Sequence, residues 1–447
     1  MAWKPSLRHV PPADNLYIRL AEELIAAISS GELKPGTRLP PQRELADFLD
    51  IPHTTVTRAY NFARERGYIY GSVGKGTFVA APFAQPPDRA PIDLRVVDPF
   101  PSLGTDEILS AARRVLDCKY ASHLFTYAMR DGTDRQRAAA CQWAARLGVM
   151  AQPSETAIFP GTQSILSAAL LGVIGSGESV ACDPFTYSNF VQLARLAKVR
   201  LVPVRGDACG MLPDALDTAV KRHSVKGVFL MPLCANPTGV TMPEQRKAEL
   251  ARVVRARNIV VIEDAATLVP PEGKFSTMFA RCPDRTIHIA ASMRLVAPGM
   301  RISFAVARGD LFRNLVRSLH LSAIKASALE AEIAAELVTS GYADAILRLK
   351  AIHAAERNRV FDSLLGVESS SCDFDNRLFR TLPLSPRTAS MPGPGIEELI
   401  EHEAGVRVCH AWRFAAAGQS GGFIRVSIAT QTPEVLSLAL SRMLPIL

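Results

Sequence analysis

Three short polar motifs, each directly after a strand-like run, carry groups that could bind an anionic or polar ligand. Gly161-Thr162-Gln163 follows the run AIFP and opens an apolar helical segment, so free backbone N–H groups and the helix dipole could bind an anion there. Asn236 ends one strand-like run and Asp264 ends the next, VVIED. In an open parallel sheet, polar residues at the carboxyl ends of strands face the ligand crevice. The alternative interpretations are a plain turn, an Asx-turn at Asn236 and a helix cap at Asp264.

The elements that must position these motifs alternate between short β-branched runs and amphipathic helical segments. The runs KGVFL at 226–230 and NIVVI at 258–262 are typical of buried strands. This alternation predicts an α/β fold with a mostly parallel central sheet. A proline-rich stretch at 81–91 has little to bury and predicts an extended linker. We therefore expect an N-terminal unit at 10–80, the linker, and a large unit at 92–447.

Length and composition limit the class of protein. A chain of 447 residues is too long to fold around a single ordinary hydrophobic core. Its content of 48% hydrophobic and 21% charged residues indicates a globular protein with a well-buried core. No apolar run is long enough for a signal peptide or a membrane span, so we expect a cytoplasmic protein with no membrane partner. Eight cysteines without a CxxC pair argue against a metal site or a disulfide framework. A net charge of +8 permits a polyanionic partner.

The N-terminal unit has the pattern of a winged helix-turn-helix. A first helix ends at GELKPG, and a short second helix begins near Pro40 and Pro41. A third helix has an apolar face and a polar face, formed respectively by Val56, Ala59, Tyr60 and Ala63, and by Thr54, Thr57, Arg58 and Asn61. An alternating segment that turns at Gly74-Lys75-Gly76 predicts a β-hairpin, the wing.

This arrangement predicts a DNA-binding surface. The third helix would enter the major groove, where its hydroxyl groups and Arg58 meet phosphates and base edges. Lys75 at the wing tip would reach the DNA backbone or the minor groove, and Arg43 in the second helix would hold a phosphate. The alternative from these residues alone is a small helical bundle with a solvated polar face.

The segment from 33 to 79, LKPGTRLPPQRELADFLDIPHTTVTRAYNFARERGYIYGSVGKGTFV, resembles the DNA-binding domain of the GntR family of bacterial transcription regulators. Its LPPQRELA variant is typical of the MocR subfamily. The resemblance implies operator DNA as a partner, with contacts at Arg43, Thr55, Thr57, Arg58 and Gly76. Pro52 and His53 replace the usual Ser-Arg pair, so the resemblance does not carry over an operator sequence.

The remainder, roughly 92–447, resembles fold-type I aminotransferases, whose cofactor is pyridoxal phosphate. The resemblance depends on the order of GTQ, DPFTY, NPTG, VIED, APGMR and a late arginine, Arg425. In MocR regulators such a domain is fused behind a GntR domain. The resemblance implies a phosphate site at Gly161, Thr162, Gln163 and Arg301, cofactor-ring contacts at Tyr187, Asn236 and Asp264, and a ligand carboxylate at Arg425. A guanidinium suits either anion because it donates two parallel hydrogen bonds.

One loop, AASMRLVAPGMRIS at 290–303, departs from the aminotransferase pattern. The family loop reads approximately Ser-x-Ser-Lys-x-x-x-Pro-Gly-x-Arg, and counting back from Pro298 and from Arg301 places Arg294 at the lysine. A guanidinium stays protonated and has no free lone pair, so Arg294 cannot bond covalently to the cofactor aldehyde. Proton transfer at the α-carbon has also lost its base. Arg294 either holds a ligand or forms a structural salt bridge, for example with Asp264.

Neighbouring positions have changed as well. Ala291 and Met293 stand where the family has serines, and Ala266 and Thr267 stand where it has a tyrosine that contacts the ring hydroxyl. Pyridoxal phosphate could then be held only noncovalently, or be lost. We therefore expect no aminotransferase activity.

The preferred hypothesis is a DNA-binding transcription regulator of the MocR type. Its degenerate aminotransferase-like domain would form a head-to-tail homodimer and sense a small amino-acid-like or pyridoxal-phosphate-related ligand. One alternative is a pyridoxal-phosphate-dependent aminotransferase with an appended DNA-binding domain. Another is a regulator that has lost ligand sensing and keeps the large domain as a dimerisation scaffold.

Overall fold

In the computed structural model, the chain divides into two compact units, Met1–Ala90 and Pro91–Leu447. The described residues are 3, 5, 16–72, 76–80, 91–100, 102–127, 131–265, 276–290, 293–366, 376–418 and 421–447. Several predictions therefore lie outside the described residues, namely those on Lys75, on most of the linker, and on Ala266, Thr267 and Ala291. Across the described part of the chain, no helix combines the length and apolar composition that a membrane crossing requires.

The first unit is a winged helix-turn-helix, which confirms the sequence prediction. It consists of α1 (Leu16–Ser29), α2 (Gln42–Leu49), α3 (His53–Glu65), β1 (Ile69–Ser72) and β2 (Gly76–Val79). The two strands pair antiparallel. The segment before α2 extends the wing, because Leu39 N–H donates to the Thr77 carbonyl and Val79 N–H donates to the Thr37 carbonyl, each at 2.9 Å.

Local sequence rules explain where these helices start and how they pack. Pro41 and Pro52 precede α2 and α3 in extended conformation, as expected because proline cannot donate within a helix. The predicted apolar face of α3 is completely buried and packs with α1 and α2 in one core. The opposite face of α3 is therefore left to the surface.

The second unit is built on a seven-stranded sheet of order β4-β12-β11-β10-β9-β5-β6. The strands of this unit are β3 (Ile92–Asp93), β4 (Thr156–Phe159), β5 (Ser179–Cys182), β6 (Arg200–Pro203), β7 (Gly206–Asp207), β8 (Gly210–Met211), β9 (Val225–Leu230), β10 (Val260–Asp264), β11 (Thr286–Ala290), β12 (Ser303–Val306), β13 (Phe379–Pro383), β14 (Val406–Arg407), β15 (Cys409–His410) and β16 (Phe423–Ser427). Within the seven-stranded sheet only β12 pairs antiparallel. The predicted mostly parallel sheet is confirmed.

Helices cover this sheet, as the burial of its strands requires. Every residue of β4, β5, β11 and β12 is buried, which is typical of strands with helices on both faces. The helices are α4 (Thr105–Leu116), α5 (Asp134–Ala145), α6 (Thr162–Ala169), α7 (Ser188–Leu196), α8 (Pro213–His223), α9 (Glu244–Arg257), α10 (Met278–Arg281), α11 (Met293–Val296), α12 (Gly309–Ala323), α13 (Ala328–Thr339), α14 (Tyr342–Leu365), α15 (Pro386–Ala389), α16 (Gly393–Ala404) and α17 (Pro433–Met443).

The topology brings the polar motifs to one edge of the sheet. Gly161 lies two residues beyond the end of β4, Asp264 is the last residue of β10, and Arg294 lies on α11, shortly after β11. These three strands run in the same direction, so their carboxyl ends meet at the same edge. Arg425 reaches the region from β16, the central strand of a separate sheet of order β13-β16-β15.

Candidate functional site

The first candidate site is the outer face of α3. Thr54, Arg58 and Asn61 are exposed there, Thr57 is half-buried, and Arg43 on α2 is exposed as well. Thr55 is half-buried and its N–H donates to the Pro52 carbonyl. The structure thus places Thr54, Arg58 and Asn61 together on one accessible helical face without acidic side chains, as the sequence predicts.

Two side chains on this face have contacts that the sequence did not indicate. The Thr57 hydroxyl lies 2.8 Å from Gln42 Oε1 and 3.0 Å from the His53 carbonyl, so its hydrogen is used within the unit. The Arg58 guanidinium lies over the Tyr17 ring, 3.9 Å from its centroid. This stacking holds Arg58 in place without consuming its N–H donors, since the contact is through the guanidinium plane.

A further cation, Arg38, lies beside β2 of the wing. Its guanidinium occupies the space beside Gly76, where an added Cβ would be 3.0 Å from Arg38 Nε. Gly76 also has a φ of +114°, a conformation that favours glycine. Arg38 is exposed, and no sequence motif pointed to it as a site residue. Its position beside Gly76 follows from the pairing of residues 37–39 with β2.

The second candidate site is a cavity of about 320 Å³ at the carboxyl edge of the large sheet. Six predicted residues line it: Gly161, Thr162, Gln163, Tyr187, Arg294 and Arg301. Residues that the sequence analysis missed also line it, among them Asp98, Asn189 and Ser303. No lysine is found among the described residues that line the cavity.

One end of the cavity has the features of a phosphate site. Gly161 has a φ of +82°, and a Cβ at that position would lie only 2.9 Å from an Arg301 Nη2 atom. The backbone and the guanidinium can therefore approach the same anion. Thr162, the first residue of α6, has its hydroxyl 3.2 Å from the Ser303 hydroxyl. One hydroxyl donates to the other, so the pair leaves one O–H donor for an anion. Nearby, the Tyr187 hydroxyl accepts a 2.9 Å hydrogen bond from Gln163 Nε2.

Arg425 is a buried cation without an acidic partner among the described residues. Only 5% of its surface is exposed, and its Nε has no hydrogen-bond partner. Nη2 donates to the Arg95 carbonyl and Nη1 lies 3.5 Å from Asn236 Oδ1. Burial lowers the pKa of Arg425, and the positive charge of nearby Arg294 lowers it further. A buried cation of this kind calls for an anion, because desolvation of an unpaired charge is costly.

Arg294 is half-buried and faces the same cavity. Among the described residues it forms neither a salt bridge nor a side-chain hydrogen bond. The salt bridge to Asp264 that the sequence left open is therefore not formed. Asp264 itself is buried at the end of β10, outside the lining of the cavity.

Lys350 is a buried positioning residue that sequence analysis missed. It lies on α14 with 1% of its surface exposed, and its Nζ donates a 3.0 Å hydrogen bond to the Val296 carbonyl. Burial lowers the pKa of Lys350 to about 8, and the Asp98 carboxylate opposes that shift. Since Val296 ends α11, Lys350 anchors the short helix that carries Arg294.

The fold and the two sites define a class of protein, a winged-helix DNA-binding unit followed by a unit with the fold of an aminotransferase. Two family models match the chain: "Bacterial regulatory proteins, gntR family" at residues 16–79 and "Aminotransferase class I and II" at residues 101–443. The chain belongs to the MocR subfamily of GntR-family transcription regulators, and it acts as a DNA-binding regulator.

Individual proteins are similar to this chain over much of its length. The HTH-type transcriptional regulator YdeF of Bacillus subtilis is 28% identical over 98% of this chain and 94% of its own length. The probable rhizopine catabolism regulatory protein MocR of Rhizobium meliloti is 25% identical over 78% of this chain and 77% of its own. The structure of α-aminoadipate aminotransferase from Thermus thermophilus, complexed with N-(5′-phosphopyridoxyl)-L-leucine, matches with a TM-score of 0.70 and 24% identity over 80% of this chain and 94% of that one. This last likeness shows the fold of the second unit.

Proposed function

We propose that the second unit binds a small, phosphate-bearing ligand noncovalently, and that this ligand sets the affinity of the first unit for DNA. The observation that carries the proposal is that Arg294 and Arg301 line the cavity while neither forms a salt bridge among the described residues. Arg425, buried on β16 and next to Asn236, is likewise without a salt bridge among them. Phosphate and carboxylate are the groups that guanidiniums bind best. The ligand would therefore supply the missing negative charge.

Pyridoxal phosphate suits the residues that are present. Arg301, Thr162 and the Gly161 backbone would hold its phosphate, while Tyr187 would contact its ring. Asn236 and Asp264, which the resemblance also assigned to the ring, lie outside the described lining of the cavity. When linked to a lysine amine, this cofactor withdraws electrons from bonds at an amino acid's α-carbon. The described lining offers Arg294 instead of a lysine, so the cavity would bind the group without reacting with it. We therefore propose that the protein is not an enzyme.

Regulation requires that the ligand bind one conformational state of the protein more tightly than another, because a ligand with equal affinity for both states leaves their equilibrium unchanged. We propose a head-to-tail homodimer as the regulated species, which would present two DNA-binding units to two half-sites. Apolar side chains at the surface support this: Phe125, Tyr127, Leu321 and Ile324 are all exposed. Because the partner is chromosomal DNA, we place the protein in the cytoplasm.

Replacing Arg301 by glutamine is expected to weaken the binding of pyridoxine 5′-phosphate by about tenfold or more, because a charge-assisted bond to phosphate is lost. The binding of unphosphorylated pyridoxine should change little. Isothermal titration calorimetry on the wild type and R301Q measures both. Arg252→Gln is the matched control, since Arg252 is an exposed arginine on α9, away from the cavity. An equal loss of affinity for pyridoxine 5′-phosphate and for pyridoxine would contradict the assignment of Arg301 to the phosphate group.

A further inference from the structure

The outer face of the wing carries a row of three side chains that ends in Arg38. Arg38 pairs with Phe78, and Phe78 pairs with Tyr70, so the three side chains lie on one face of the small sheet. The two aromatic rings stack with 5.7 Å between their centroids. Leu39 and Val79, which alternate with this row, are buried in the core of the first unit. Strand pairing therefore fixes Arg38 on the surface of the wing.

The Arg38 guanidinium lies against the backbone at Gly76, the first residue of β2. A Cβ added at Gly76 would be 3.0 Å from Arg38 Nε and 3.5 Å from Arg38 Nη2. Because glycine has no side chain, the guanidinium can approach the strand this closely. Arg38 is exposed, and no described residue forms a salt bridge with it. This end of β2 is therefore a narrow edge that carries a positive charge.

The segment after Arg38 leads to the outer face of α3. The Pro40 carbonyl accepts a 3.0 Å hydrogen bond from the Tyr60 hydroxyl. Gln42 Oε1 accepts a 2.8 Å hydrogen bond from the Thr57 hydroxyl. The Cα atoms of Arg38 and Gln42 are at most about 14 Å apart, because four residues of extended chain span no more. A turn of DNA rises about 34 Å, so a major groove and the next minor groove are centred roughly 17 Å apart. With α3 in a major groove, Arg38 is within reach of the adjacent minor groove.

We infer that Arg38 enters this minor groove and makes the affinity for DNA depend on the base pairs there. A·T-rich DNA has a narrow minor groove with an enhanced negative potential, which attracts an arginine side chain. A G·C pair places the guanine 2-amino group in that groove, and a guanidinium, which has donors but no acceptor, cannot bond to it. Arg38 is then a specificity-determining residue that selects A·T pairs beside the bases that α3 contacts. The inference takes α3 to be the major-groove helix, which replacement of Arg58 tests separately.

Three DNA duplexes test this inference because they differ in the minor groove. Each contains a site selected from a random library, with A·T, G·C or inosine·cytosine pairs placed about five base pairs to either side of the centre of the α3 contacts. An inosine·cytosine pair has the major-groove edge of G·C but lacks the 2-amino group in the minor groove. In fluorescence anisotropy titrations, the wild type is expected to bind the A·T and inosine duplexes about tenfold more tightly than the G·C duplex.

Variants of the exposed Arg38 assign this preference to its guanidinium. Arg38→Ala should bring the three affinities to within about twofold of one another. Arg38→Lys should keep the salt dependence of binding but lose most of the preference, because an ammonium is more strongly hydrated than a guanidinium and enters a narrow groove less readily. Arg66→Lys is the matched control, since Arg66 is also exposed and is stacked on Phe62, and it should keep the wild-type preference.

Equal affinities of the wild type for the inosine and G·C duplexes would overturn the inference, as would a preference that survives in R38A. A loss of affinity in R38A that is the same for all three duplexes would indicate a phosphate contact, which also contradicts the inference. A preference retained in full by R38K would assign it to positive charge alone and would remove the role of the guanidinium.

Discussion

Replacing Arg294 by lysine is expected to turn a noncovalent binding site into one that bonds pyridoxal 5′-phosphate covalently. A lysine amine has a lone pair that attacks an aldehyde, and the guanidinium of Arg294 has none. In the proposed binding mode, Arg301 and Gly161, which lie next to each other in the cavity lining, hold the phosphate. We expect R294K to develop a visible absorption band on addition of pyridoxal 5′-phosphate, and borohydride to fix the label on the peptide that contains residue 294, at close to one label per chain.

The matched control for this experiment is Arg294→Gln. It has the same surface lysines as R294K, so nonspecific labelling by the aldehyde is equal in the two variants. Peptide mapping by mass spectrometry then separates the site from the background. If R294K carried no more label at residue 294 than the background of its surface lysines, this side chain would not lie where the aldehyde binds.

Replacing Arg58 by alanine is expected to lower DNA affinity by roughly tenfold and to reduce the salt dependence of binding by about one phosphate contact. The reason is that Arg58 lies on the exposed face of α3 and is held in place over the Tyr17 ring. An ordered guanidinium loses less conformational entropy when it meets a phosphate or a base edge. Fluorescence anisotropy at several salt concentrations, with a DNA site selected from a random library, measures both quantities.

Arg66→Ala is the control for Arg58→Ala. Arg66 is also exposed and also stacks on an aromatic ring, with 3.4 Å between its guanidinium carbon and the Phe62 centroid. It lies just beyond the end of α3. We expect this variant to bind DNA almost as the wild type does. Equal losses of DNA affinity in the two variants would indicate a general effect of positive charge. Arg58 would then not be part of the DNA-recognition surface.

Local patterns in the sequence sufficed to predict the first unit. The spacing of Val56, Ala59, Tyr60 and Ala63 fixed which face of α3 is buried, because helical periodicity alone decides this. Arg38 could not be predicted in the same way. It reaches Gly76 only because 37–39 pair with β2, and such a pairing is a tertiary contact without a local signal.

The cavity was predictable to the extent that parallel strands bring their carboxyl ends together. That rule places Gly161 and Arg294 at one edge of the sheet. The contacts of Arg425 were not predictable, since the Arg95 carbonyl that it binds is 330 residues away in the chain. Lys350 was missed because a lysine on a long helix is usually exposed, whereas here its amine is buried against Val296.

The central claim is that this cavity recognises a ligand but does not catalyse reactions of amino acids. Its most direct test is an assay of amino-group exchange between a mixture of ¹⁵N-labelled amino acids and unlabelled 2-oxo acids, with purified protein and saturating pyridoxal 5′-phosphate. We predict that transfer of ¹⁵N proceeds no faster than with the free cofactor alone. Turnover above that rate, proportional to the concentration of protein, would contradict the account.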